Sequence, residues 1–83
     1  MPRYFLHTEH FNREPIRDDE GAVFDGVAAA AAEAAEGMRE LLAAAIRDAD
    51  APVPKRIAIH DETGAELCAV SARNFVPQQL RSS

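Results

Sequence analysis

The side chains whose types could do chemistry are three histidines, one cysteine and a run of acids. His7 and His10 lie on one short segment and His60 is remote, and imidazole is a common ligand for zinc and other divalent ions. A hairpin could bring His60 near His7. A closed zinc site needs four ligands, however, and the only cysteine, Cys68, falls in the middle of a strand-forming segment. His7 is expected to be a hydrogen-bonded sheet residue, and no metal ligands are assigned.

Asp18, Asp19 and Glu20, with Asp25 beyond them, could hold magnesium or calcium through carboxylate oxygens. Their spacing is not that of an EF-hand loop. A turn at Asp18-Asp19-Glu20-Gly21, followed by a helix cap at Asp25, accounts for every one of these acids. For covalent catalysis the chain offers Cys68 and Ser71, but a nucleophile needs a base in reach and an oxyanion donor. Neither a nucleophile elbow nor a telling Cys/His spacing is present. Gly21, Gly26, Gly37 and Gly64 are scattered and form no phosphate loop. Cys68 reads as a small hydrophobe. A short chain with one sheet has little volume for a closed pocket, so no catalytic residues and no cofactor are assigned, and an enzyme is not expected.

Composition narrows the partners. A net charge of −5 argues against nucleic acid, whose affinity comes from Lys and Arg contacts. Arg3, Arg13 and Arg17 cluster, but acids surround them. One cysteine excludes an intramolecular disulfide. No run approaches the ~20 apolar residues that span a bilayer, and Met1–His7 lacks the apolar stretch of a signal peptide. The expectation is a cytoplasmic protein with no membrane partner. Residues 1–50 hold 11 acids against 5 bases, whereas 51–83 hold 3 against 4, which reads as an acidic solvated face.

These residues must be positioned by few large side chains, because 17 of the apolar residues are alanine and only 22 are larger. Chains with so small a stock usually need tight packing or a partner. Arg3–Thr8 reads as a strand around Tyr4, Phe5 and Leu6. A short extended piece is expected near Ile16, and Ala22-Val23-Phe24 as a strand pairing back on the first. From Val27 to about Ala49 apolar residues recur at three and four, which is a helix. Pro52 and Pro54 end it. Lys55–His60 alternates, Asp61–Gly64 turns, and Glu66–Ser71 returns as a hairpin. The fold expected is therefore α+β: a two-layer ββαββ unit with an antiparallel sheet and one long helix on one face. It spans residues 1–72, with 73–83 as a tail that docks or frays.

About 22 helical residues span ~33 Å, more than a short strand's ~17–20 Å. The large side chains Met38, Leu41, Leu42 and Ile46 should pack on the sheet, leaving the alanine half to overhang or to meet a neighbour. Alanine methyls allow a second backbone to approach. Ala28, Ala31, Ala32 and Ala35 are therefore the candidate interface.

The segments Met1-Pro2-Arg3-Tyr4-Phe5-Leu6-His7, the acidic turn ending in Gly21, Asp25 before an Ala/Glu-rich helix, and Ile57-Ala58-Ile59-His60-Asp61-Glu62-Thr63-Gly64 occur in this order. The order resembles a family of short bacterial proteins classed as a domain of unknown function, which open Met-Pro-Arg-Tyr-Phe-Phe-His and carry an Asp-Glu-Glu-Gly turn. The resemblance covers roughly residues 1–71. It implies the fold and a bacterial source, and it brings no activity or catalytic residues.

Two functions remain in view. One is a non-enzymatic interaction module that forms a homodimer and recognises a protein partner through a sheet edge or the alanine face. The other is a small-molecule or metal-binding protein using His7, His60 and the acidic turn 18–20.

Overall fold

A computed structural model describes residues 2–75. Four strands form one antiparallel sheet: β1 (Arg3–His10), β2 (Ala22–Val23), β3 (Pro54–His60) and β4 (Glu66–Ser71), in the order β2-β1-β3-β4. The helix α1 (Val27–Arg47) joins the two hairpins and packs on one face, chiefly across β3 and β4. This is the two-layer ββαββ arrangement expected. A short 3-10 helix, Ala72–Phe75, follows β4 and sets Ala72 and Phe75 against the core. Of the expected tail, 76–83 lies outside the described residues.

The core follows from the period of the strands. Tyr4 and Leu6 on β1, Ile57 and Ile59 on β3, and Cys68 and Val70 on β4 share the face under α1. Phe5, His7, Glu9, Arg56, Ala58 and His60 alternate onto the other face, which no helix among the described residues covers. From α1 the residues Ala30, Ala34 and Met38 are buried, a stripe recurring every four residues and pointed at the sheet.

Two expectations about the helix are corrected. Its alanine half does not overhang: Ala30 and Ala34 are among the most buried residues, and their methyls let the helix sit close on Tyr4, Ile57 and Ile59. The overhang is at the other end, where Ile46 is 85% exposed. The reason is connectivity. Only Phe24, Asp25 and Gly26 separate β2 from the first helical residue, so the first turns must lie over the sheet. The excess length then runs out past the strands. Leu41 and Leu42 still reach the core cluster from its edge. The second correction is the cap, because Gly26 occupies the N-cap position and no side chain caps the helix. Asp25, one residue earlier, is exposed.

The edge of β1 is closed piecewise rather than by one strand. Ala22 and Val23 pair with Tyr4 and Arg3, and Ile16 exchanges two backbone hydrogen bonds with Thr8 at 2.9 and 2.8 Å. Between them, the Leu6 amide donates to a carboxylate oxygen of Asp18 at 3.2 Å. That oxygen stands in for a missing strand carbonyl. Gly21 makes the return possible. Its φ is +69°, and a Cβ there would lie 2.8 Å from both the Tyr4 carbonyl oxygen and the Phe5 ring.

Candidate functional site

The face away from α1 carries the residues that the sequence singled out. Register pairs Phe5 with His60 and His7 with Ala58, so His7 and His60 are diagonal neighbours. Their rings meet nearly at right angles, with centroids 4.6 Å apart. An open cleft of about 350 Å³ surrounds them, walled by Arg17, Asp18 and Asp19 on one side and by Asp61, Glu62 and Gly64 on the other. Phe5 lies at its base. His7, His60 and two residues of the acidic turn are thus brought together, while Glu20 does not line the cleft. His10 lies at the far end of β1, where its Nδ1 faces the Glu14 carbonyl at 3.3 Å.

His7 has a defined tautomer. The Asp18 backbone N–H donates to its Nδ1 at 2.9 Å, so the neutral ring carries its proton on Nε2. Partial burial and then the neighbouring His60 and Arg17 hold its pKa below the usual 6.5, against the opposing pull of Asp18 and Asp19. Asp18 itself is held below the ordinary carboxyl value. Burial works against its charge, but hydrogen bonds from the Gly21, Leu6 and Glu20 amides outweigh that. Asp61 organises the β3–β4 turn in the same manner, its carboxylate accepting from the Thr63 hydroxyl at 2.5 Å and from the Thr63 and Ala65 amides.

Beside the cleft lies a charge network that depends on a β-bulge. Ile59 pairs with Cys68 but His60 pairs with Glu66, leaving Leu67 as the extra residue. Strict alternation from Cys68 would turn Glu66 toward the helix. The bulge turns it onto the open face instead, where Arg56 donates to it at 2.5 Å and to Glu9 at 2.7 Å. These hydrogen bonds, the one to Glu66 first and the one to Glu9 second, raise the Arg56 pKa further and lower that of Glu66. The His60 Nε2 lies 3.7 Å from the other Glu66 oxygen. Reading Glu66 onto this face requires the bulge, which nothing in the alternation of residues 66–71 announces.

Among the described residues, no three His, Cys, Asp or Glu side chains converge as a metal-ligand set. Cys68 is half-buried against the core, away from the cleft. No helix of the described residues is long and apolar enough to cross a membrane. The candidate interface alanines divide by helical phase: Ala28 and Ala32 are exposed, whereas Ala31 and Ala35 are half-buried.

Residues 3–73 match the family model described as a domain of unknown function (DUF6894). No curated protein and no solved structure matches the chain.

Proposed function

The chain belongs to the DUF6894 family, a domain of unknown function, and from that premise we propose that it is a small non-enzymatic interaction module that self-associates through the outer edge of β4. The observation that carries this reading is the asymmetry of the sheet. The β1 edge is closed by Ala22–Val23, Asp18 and Ile16, whereas no strand among the described residues pairs with the outer edge of β4. Natural edges are usually blunted by lysine or proline, and Glu66–Ser71 contains neither. Its one charge, Glu66, is engaged by Arg56 on the open face. Leu67 and Ala69 are exposed.

The alanine stripe fits the same interface. An antiparallel pair of β4 strands is related by a twofold axis perpendicular to the sheet, so both helices lie on one side. Neighbouring strands are ~4.8 Å apart. A helix centred between β3 and β4 would then run roughly 10 Å from its copy, near the spacing at which helices pack through small residues. The flank of α1 toward β1 carries Glu33, Gly37 and Glu40 beside Leu6 and Thr8. The opposite flank holds Arg39, Leu42 and Ile46 beside Phe75. Helical spacing places Ala28, Ala31, Ala32 and Ala35 on this second flank, toward the dyad.

Sedimentation equilibrium tests the proposal. A dimer is expected, dissociated by Leu67→Lys and by Ala32→Glu, both at exposed positions. A wild-type monomer at high micromolar concentration overturns it. A second reading, binding of a small molecule by His7, His60 and the acidic turn, is favoured by the cleft in which His7, His60, Asp18 and Asp19 meet. A thermal-shift screen that finds a stabiliser lost in His7→Ala would support it, and a screen with no stabiliser counts against it.

A further inference from the structure

Residues 11–21 leave the end of β1 and return along its outer edge as a strap. It is pinned by the Thr8–Ile16 backbone pair, by Arg3 donating to the Glu20 carbonyl at 2.9 Å, and by His10 at the Glu14 carbonyl. Asp18 supplies two more pins, its carboxylate on the Leu6 amide and its own amide on His7 Nδ1. These pins respond differently to acid. The His10 nitrogen faces a carbonyl oxygen, which only accepts. His7 Nδ1 faces an N–H and holds it only while the ring is neutral.

We propose that His7 is a pH-operated latch, whose neutral ring holds residues 17–21 on the edge of β1 and whose protonation at Nδ1 sets donor against donor and releases them. An imidazolium has two donors and no acceptor, so the Asp18 N–H loses its partner outright. The groups facing the ring come from four elements. Glu9 shares its strand face; Arg17, Asp18 and Asp19 come from the strap; His60 and Arg56 come from β3, with Arg56 held by Glu9 and Glu66; and Asp61 and Glu62 come from the β3–β4 turn. The helix lies beyond the sheet. The surrounding carboxylates offer a charged ring new acceptors once it turns from Asp18, while Arg17 and a protonated His60 oppose its charge. Histidine is the side chain suited to such a change between pH 5 and 8. Release uncovers the β1 edge between Tyr4 and Thr8, at the Leu6 amide. One more strand position would thus be open to a partner only in acid.

Nitrogen-15 NMR of the full chain between pH 7.5 and 5.0 tests the latch without a variant. At pH 7.5 the ring should show Nδ1 bare and Nε2 protonated. The Asp18 amide signal should then move with the same midpoint as the His7 ring, and the protection factor of the Leu6 amide should fall about tenfold or more. His7→Asn presents an uncharged oxygen acceptor near the position of Nδ1 and should abolish both dependences, whereas His60→Asn should keep them. An Asp18 signal that ignores the His7 titration overturns the latch, as does Leu6 protection that is equal at both pH values. So does a pH dependence that persists in His7→Asn.

Discussion

Asp18 is bound to the His7 segment of β1 twice: its amide donates to the His7 ring at 2.9 Å, and its carboxylate accepts the amide of Leu6, the residue before His7. Residues 17–21 are thereby tied to one strand at its open face and at its edge. Several measurable consequences come from this tie and from the helix above it.

Acid should destabilise the protein in two steps. The folded pKa of His7 lies below 6.5, so between those values the unfolded chain binds more protons, and stability falls as pH drops. His7's contribution is complete above pH 6.5 and is lost as pH falls through its folded pKa. Asp18's folded pKa lies below 3.8, and the part of its contribution that comes from the local Gly21 and Glu20 amides is complete above about pH 4 and is lost as pH falls further. Thermal midpoints measured from pH 8 to 2 should show both steps, with the first missing in His7→Asn.

Asp18→Ala removes the acceptor of three backbone amides, those of Leu6, Glu20 and Gly21. A loss of about 1–3 kcal/mol is expected in urea unfolding, the cost of leaving partly buried donors unpaired. A variant as stable as the wild type would show that water replaces the carboxylate without penalty.

Gly21→Ala should be the most damaging single methyl in the chain. The left-handed backbone costs about 1–2 kcal/mol for alanine, and contacts at 2.8 Å with the Tyr4 carbonyl and the Phe5 ring add to it. Overpacking of that kind costs about 1–3 kcal/mol. Denaturant titration should place the total at about 2–5 kcal/mol.

Gly37→Ala should act in the opposite direction. Among the described residues a Cβ there would meet only the Ile57 Cδ1, at an ordinary 3.8 Å, and the position is inside α1. The gain expected is about 0.5–1 kcal/mol, from helix propensity and the lower entropy of the unfolded chain.

The two ends of α1 should also separate by mutation. Met38→Ala empties a fully buried site beside Ile57 and Ile59 and should cost about 2–5 kcal/mol. Ile46→Lys, at the overhanging end, should stay within about 0.5 kcal/mol of the wild type by the same titration.

Much of this architecture is legible in the chain itself. Strand alternation at Ile57 and Ile59, turns at Gly21 and Gly64, a long apolar period from Val27 and prolines after it lead to a ββαββ fold, because each signal is local. Local rules also put Tyr4 and Leu6 on the face opposite His7. The acids of 18–20 read correctly as a turn, since an aspartate two or three residues before a glycine can bond the intervening amides.

The relations between segments come instead from how the elements pack. Which half of α1 covers the sheet depends on how short the β2–α1 connection is relative to the strands, and periodicity carries no information about that offset. The cap at Gly26 instead of Asp25 depends on the path from Phe24, whose amide is held by the Pro2 carbonyl at 3.3 Å. The meeting of His7 with His60 requires the β1–β3 register, set by residues far apart in the chain. The bulge at Leu67 re-aims Glu66 through a single residue of slip, and the strand pattern is the same with or without it. Residue types and spacing determined the elements; the packing of one element on another determined which side chains share a site.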